Sequence, residues 1–339
     1  MRKVLLIYTG GTIGMSENPI TGALEAVCFD KLLPMIVEFQ PLNIQTSTIS
    51  LTPAVDSSDM GPDKWKLLVQ IIADNYDNYD GFVVLHGTDT MAYTASALSF
   101  MLEGLSKPVV LTGSQLPLGK LRTDGKENII TALEIAADAY DDGRPKVPEV
   151  CIFFHDTLLR GNRTTKSSAD EFDAFRSFNY PELAHAAVSI RYNEHLILPY
   201  HPERPFTPHY NMDANMLVMS LFPGIQEQTI RSMFSTPGLK GVVMRTYGAG
   251  NAPSQPWLTD ILAEYVSQGI VIINITQCTG GDVAMTRYQT GLQLQHIGVI
   301  GGGDSTVEAA LTKMMRLFGD GLTPSQVSRL MTCSLAGEI

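Results

Sequence analysis

Short apolar runs alternate along the chain with longer stretches whose apolar residues recur at helical spacing. Residues 3–8, 81–85, 108–111 and 149–154 are of the first kind and predict strands buried on both faces. Residues 64–75, 90–102 and 126–140 are of the second kind and predict helices between them. This alternation points to a mostly parallel sheet flanked by helices. From about 189 to 215 the rhythm fails: Pro199, Pro202, Pro205 and Pro208 fall among polar residues, which predicts a linker. It resumes with strands expected over 216–221, 241–246 and 270–275, and helices over 224–234, 256–268 and 304–318. Ser305 with Glu308 fits a capping box, as does Thr323 with Gln326, where Pro324 takes the first helical position. The expected architecture is therefore α/β in two domains. A larger N-terminal domain spans 1–188, a linker 189–215 and a smaller C-terminal α/β domain 216–339.

Composition narrows the class. A length of 339 residues exceeds one ordinary core and suits two. The net charge of −11 leaves no basic stripe for phosphates, so no nucleic-acid partner is expected. Cys28, Cys151, Cys278 and Cys333 are scattered without a CxxC pair, as free thiols in a reducing compartment would be. They suggest neither a disulfide framework nor a zinc site. The apolar run at 4–7 is too short for a secretory leader, and no segment approaches the ~20 apolar residues of a membrane span. A cytoplasmic protein without membrane association is the expectation.

In open α/β sheets, sites form beyond the carboxyl ends of strands. The first expected strand runs into Thr9-Gly10-Gly11-Thr12-Ile13-Gly14, where paired glycines allow close backbone approach and two threonines supply hydroxyls. A plain tight turn or a dinucleotide loop would read similarly. However, the spacing is not GxGxxG, and no lysine follows as a phosphate loop requires. The strand at 81–85 runs into His86-Gly87-Thr88-Asp89-Thr90. Any of its last three residues would cap the following helix, and together they also suit an ammonium and a developing oxyanion. His86 reads as structural rather than as a general base. Asp56-Ser57-Ser58-Asp59-Met60 is a turn of small hydroxyls between carboxylates. Lys166 closes Arg160-Gly161-Asn162-Arg163-Thr164-Thr165-Lys166 and gains chemical interest only if buried against a carboxylate such as Asp89. Thr12, Thr88, Asp89 and Lys166 together offer what a threonine nucleophile needs. No Cys-His or GxSxG alternative competes.

These motifs, with Thr112-Gly113-Ser114-Gln115 and Thr246-Tyr247-Gly248-Ala249-Gly250-Asn251-Ala252-Pro253, resemble the bacterial L-asparaginase family, and its cytoplasmic type I branch in particular. The resemblance spans essentially the whole chain. It implies an amidohydrolase that converts asparagine to aspartate and ammonia without metal or cofactor, assembled as a homodimer or homotetramer. By position, Thr12 is the nucleophile of a β-aspartyl acyl-enzyme. Thr88, Asp89 and Lys166 form a second relay, with Asp89 also holding the substrate ammonium. Gly11 lies at the oxyanion, and Ser57 and Ser58 hold the α-carboxylate. Tyr288 and Asn251 resemble positions that reach a neighbouring subunit's site. Thr165, Arg245 and Cys278 resemble a second, allosteric asparagine site of some type I members. One departure stands out: the family's tyrosine some ten residues after the nucleophile is missing from Met15-Ser16-Glu17-Asn18-Pro19-Ile20-Thr21-Gly22, a stretch expected to form a lid.

Overall fold

The computed structural model describes residues 1–17, 24–26 and 44–339. Residues 18–22 of the expected lid and Cys28 lie outside the described residues. The chain divides into two units, Met1–Tyr210 and Asn211–Ile339.

The first unit is built on an eight-stranded sheet. Its strands are β1 (Arg2–Tyr8), β2 (Ile44–Ser50), β3 (Gly81–Leu85), β4 (Val109–Thr112), β5 (Val150–Phe154), β6 (Thr157–Arg160), and, after the short pair β7 (Thr165–Lys166) and β8 (Phe175–Arg176), β9 (Ala184–Ala186) and β10 (Ile190–Tyr192). The order across the sheet is β10-β9-β6-β5-β4-β3-β1-β2. From β2 to β5 all pairings are parallel, whereas β5–β6, β6–β9 and β9–β10 are antiparallel. Helices α1 (Pro62–Asp74), α2 (Met91–Met101) and α3 (Gly125–Ala137) connect the parallel strands. Leu5, Ile7, Val84 and Leu85 have no exposed surface, as strands covered on both faces require. Each such side chain contributes about 1.5–3 kcal/mol by leaving water.

The position of β1 decides where a site can form. The chain passes from β1 to β2 on one side, then returns to lay β3 on the other side of β1 and continues outward. The crevice of such a sheet opens where the winding reverses, at the carboxyl ends of β1 and β3. Tyr8 and Leu85 are register partners there, and Thr9 N–H extends the ladder to Leu85 O at 3.0 Å.

Several elements lay beyond the apolar pattern. Strand β2, IQTSTIS, is an edge strand of largely polar residues and carries no apolar run. Strands β6, β9 and β10 are short. β10 draws Ile190–Tyr192, from the stretch read as linker, into the sheet edge by pairing with β9.

The second unit holds a four-stranded parallel sheet, β11 (Met216–Ser220), β12 (Gly241–Thr246), β13 (Val271–Thr276) and β14 (Ile300–Gly301), in that order. Its helices are α4 (Glu227–Phe234), α5 (Pro256–Ser267), α6 (Gln289–His296), α7 (Val307–Gly319) and α8 (Pro324–Met331). Period-two alternation divides its core. Val242, Met244 and Ile272 pack on one face with α4 and α5 residues, while Val243, Ile273 and Ile275 pack on the other with α7 and α8 residues. The capping box at Thr323 forms: Gln326 Oε1 accepts Thr323 N–H at 2.9 Å and Thr323 Oγ1 accepts Gln326 N–H at 3.4 Å. The one expected at Ser305 and Glu308 does not. Ser305 N–H closes a turn onto Gly302 O, so the cap passes to Thr306, whose hydroxyl accepts Ala309 N–H at 3.1 Å. The helix expected from 224 begins only at Glu227, because Ile225 N–H closes a turn onto Phe222 O and extended Gln226 takes the N-cap position. No described helix is long and apolar enough to cross a membrane.

Candidate active site

Three turns converge at the crevice, and glycine lets them touch backbone to backbone. Gly10 has φ of 131°, and a Cβ there would come within 2.2 Å of Val55 O. Gly11 has φ of 90°, and its Cβ would sit 2.4 Å from Gly87 Cα. An L side chain at either position meets a strained backbone and an occupied space. Val55 N–H donates to Thr9 O at 2.7 Å, tying the turn after β2 to the turn after β1. The Thr12 turn is thus pressed between the Val55–Ser58 and His86–Asp89 turns. Thr12 itself opens a single 3-10 turn, Thr12–Gly14, and is partly exposed.

The turn after β3 carries the densest chemistry. Lys166 Nζ donates to Thr88 Oγ1 at 2.9 Å and to Asp89 Oδ1 at 2.7 Å. The Lys166 side chain is only 17% exposed and that of Asp89 67%, so the pair is anchored inside and opens toward solvent on the carboxylate side. Among the described residues, Oδ2 of Asp89 meets no protein donor.

Thr88 also donates to Gln115 Oε1 at 3.3 Å. The amide orientation of Gln115 is fixed, because its NH2 group donates to the carbonyls of Ala169 and Glu171 at 3.3 and 2.9 Å. The Thr88 hydroxyl proton therefore points to Gln115, and its lone pairs face Lys166. Asp124 in turn holds Gln115 by accepting its backbone N–H at 2.9 Å. Gln115 follows a buried strand and closes the Thr112-Gly113-Ser114-Gln115 motif, but the sequence alone assigned it no role in the site.

Ser57 is buried, and a Cβ on Gly87 would come within 2.6 Å of its hydroxyl oxygen. Its carbonyl accepts Thr90 Oγ1–H at 2.6 Å, locking the turn after β2 to the start of α2. Ser58 is exposed, and Asp56 Oδ1 accepts both its N–H and its hydroxyl at 2.9 Å. Those two bonds, the backbone one first, hold the Asp56 carboxyl below the usual carboxylate range.

From the motif that ends in Lys166, only the lysine joins this cluster. Arg160 pairs with buried Glu149 at 2.6 Å, and Gly161, Asn162 and Arg163 are buried, with Gly161 against Ala95 of α2. His86 is wholly buried and its pKa is pushed down to about 4 by that burial. It does not face the solvent as a general base would.

The remaining candidates belong to the second unit, except Thr165, which precedes Lys166 in β7. Arg245 and Cys278 lie at the carboxyl ends of the neighbouring strands β12 and β13, bridged by Gln277, whose side-chain N–H donates to Arg245 O at 2.9 Å. Arg245 has a buried Nε with no hydrogen-bond partner, and no described carboxylate pairs with it. Cys278 is exposed rather than a buried thiol. Asn251 Oδ1 accepts Thr290 Oγ1–H at 2.5 Å, which brings the turn after β12 beside the exposed Tyr288 that caps α6. Among the described residues no group of three or more metal-ligating side chains forms.

Comparison with known proteins finds similarity along nearly the whole chain. The family model described as asparaginase, N-terminal, matches residues 3–198, and that of the glutaminase/asparaginase C-terminal domain matches 215–331. L-asparaginase 1 of Escherichia coli is 44% identical over 344 residues, covering 100% of this chain and 98% of that protein. The 60 kDa lysophospholipase of Mus musculus is 40% identical over 362 residues, covering 100% of this chain but 62% of that protein. The crystal structure of L-asparaginase I from Vibrio cholerae superposes with a TM-score of 0.91 at 40% identity, covering 100% of this chain and 99% of that one.

Proposed function

The chain belongs to the asparaginase family, and from that premise we propose that it hydrolyses L-asparagine to aspartate and ammonia through an acyl-enzyme on Thr12. The observation that carries the mechanism is Lys166 bridging Thr88 and Asp89 beside the glycine-packed turn of Thr12. A threonine nucleophile needs a polar relay and backbone donors at one strand end, and this crevice gathers both.

In this reading Thr12 Oγ1 attacks the amide carbon, and the proton it loses leaves with the ammonia. Water then opens the β-aspartyl ester, positioned by Thr88 and Lys166. The open oxygen of Asp89 takes the substrate ammonium. Ser57 and Ser58 take the α-carboxylate, Ser58 redirecting the hydroxyl it now gives to Asp56. Backbone amides at Gly11 and Thr88 face the oxyanion, an effect worth about 2.7–4 kcal/mol per donor in a well-studied protease. The reaction calls for no metal or cofactor. Glutamine differs by one methylene, which a pocket discriminates by about 1–3 kcal/mol, so a slower glutaminase activity accompanies the main one.

Catalysis falls to the first unit. The protein assembles in the cytoplasm as a homodimer or homotetramer in which Asn251 and Tyr288 complete a neighbouring subunit's site. The unpartnered Nε of Arg245, at the end of the strand next to the one that leads to Cys278, supports a second asparagine site that activates the enzyme.

Ammonia release from asparagine tests this directly. The parent protein is expected to turn over, and Thr12→Ala and Lys166→Met to lose at least about a thousandfold while remaining folded. Equal release from parent and Thr12→Ala would remove the nucleophile, and full rate in Lys166→Met would reduce that lysine to a structural ion pair. A lysophospholipid, the substrate class in the mouse relative's name, is expected to release no fatty acid. The same assay run across asparagine concentrations should give a sigmoid. A hyperbola over the whole range would remove the second site, since coupling requires two sites and two states.

A further inference from the structure

The wholly buried His86 sits in a hydrogen-bond chain whose direction the chemistry of its members fixes. Its Nδ1 lies 2.6 Å from Gly87 O, and its Nε2 lies 2.8 Å from Thr94 Oγ1. A carbonyl oxygen only accepts, so Nδ1 carries the proton. Nε2 is then a lone pair and takes the Thr94 hydroxyl proton. The Thr94 oxygen in turn accepts the indole N–H of Trp65 at 2.9 Å. All three side chains are buried, with Thr94 and His86 at 0% exposure, so water does not compete for these bonds. The chain therefore runs one way: Trp65 N–H to Thr94 O–H, to His86, to the carbonyl of Gly87. Aligned bonds of this kind strengthen one another, by about 10–30% each.

The chain ends on the peptide between Gly87 and Thr88. A hydrogen bond accepted at a peptide C=O draws density from its nitrogen and makes the N–H of the same peptide a stronger donor. That N–H belongs to Thr88, in the turn that abuts Gly11, and among the described residues it meets no acceptor. We infer that His86 is a positioning residue for the amide hydrolysis: with Thr94 and Trp65 behind it, it fixes the Gly87–Thr88 peptide and polarises its amide toward the developing oxyanion. The inference rests on the amidohydrolase reading given above. It gives His86 a part in the reaction without contact to substrate and without a change of charge, consistent with a ring kept neutral by burial.

The full-length protein and its Thr94→Val, His86→Leu and His86→Asn variants test it, read by kcat and KM for asparagine, inhibition by aspartate, and Tm. Removing an oxyanion donor lowers kcat by about a hundredfold to a thousandfold, so weakening one should lower it less. Thr94→Val is expected to lower kcat by about tenfold, and His86→Leu by about a hundredfold, with KM and aspartate inhibition unchanged. His86→Asn, whose amide can still donate to Gly87 O, should recover most of the loss. If His86→Leu does not fold, Thr94→Val and His86→Asn still decide the matter. Independently of turnover, nitrogen-15 shifts of the His86 ring near neutral pH should place the proton on Nδ1.

Unaltered kcat in Thr94→Val, a KM that rises in step with the loss of kcat, or a proton on Nε2 each overturns the inference. An active parent whose variants keep its rate overturns this inference alone. A parent that releases no ammonia overturns the amidohydrolase reading and this inference with it.

Discussion

His86 shows how a single side chain couples the site to the stability of the domain that carries it. Burial drives its pKa to about 4, against 6.5 in an exposed chain. Below about pH 6.5 the unfolded chain takes up a proton that the folded one refuses. The stabilisation is therefore complete above pH 6.5 and is lost as the pH falls to about 4, and it amounts to roughly 3 kcal/mol. Denaturant unfolding of the parent protein between those limits should show this loss, and His86→Asn should show a correspondingly shallower dependence. Parallel curves for the two would mean that another group governs the acid side. Gln115 works at the same scale: its two carbonyl contacts settle which way the Thr88 hydroxyl points. The identity of Gln115 was legible in the sequence, but its orientation depends on residues 54 and 56 positions away.

Among the elements, the turns matter more than the strands and helices they join. The turn after β1 keeps its shape because Gly10 and Gly11 adopt left-handed backbone and leave room for Val55 and Gly87. Gly11→Ala places a methyl 2.4 Å from Gly87 Cα at a φ of 90°. The expected result is a loss of about 2 kcal/mol or more together with most of the activity, because the Thr12 and Thr88 turns are forced apart. Differential scanning calorimetry with the ammonia assay checks both effects, and a variant with parental Tm and rate would refute the close approach. The apolar runs announced β1, β3, β4 and β5 because parallel strands covered on both faces are apolar throughout. They could not announce β2, which lies at the sheet edge and is made of threonine, serine and glutamine between isoleucines. The cap of α7 moved one residue for a similar reason. Ser305 was committed to a turn through its own backbone, a choice that local spacing does not encode.

At the scale of the molecule, each unit holds a buried ion pair. In the first, Arg160 and Glu149 are buried together, and Glu149 also accepts Leu198 N–H at 2.7 Å, which holds that segment to β5 and β6. In the second, Lys313 of α7 pairs with Glu338 at 2.6 Å, the two side chains 2% and 1% exposed. Glu338 further accepts the N–H groups of Leu335 and Ala336, so the last residues fold back onto α7 around this carboxylate. Lys313→Met removes the cation from a buried carboxylate and should destabilise the second unit by about 3–5 kcal/mol. Adding Glu338→Gln should return part of that, measured by urea midpoints. A Lys313→Met protein as stable as its parent would show that the backbone donors alone suffice for Glu338.

The Thr9-Gly10-Gly11-Thr12 turn, the His86 to Thr90 turn, Ser57, Ser58 and Lys166 were all visible as sequence, as was the α/β class. Each of these turns has ordinary uses at a strand end, and it was their combination that pointed to a site, whereas apolar periodicity is a local property. Their meeting was implied only by the family resemblance, because nothing local in the residues supplies it. The strand order that sets β1 between β2 and β3 creates the crevice, and the return of the chain past β6 delivers Lys166 to Thr88 and Asp89 across 78 and 77 residues. The direction of the proton on Thr88 and the tautomer of His86 are likewise tertiary facts. The first follows from the bonds of Gln115 to Ala169 and Glu171, 54 and 56 positions on, and the second from the contact of His86 with the carbonyl of its neighbour Gly87, which the burial of the ring makes obligatory.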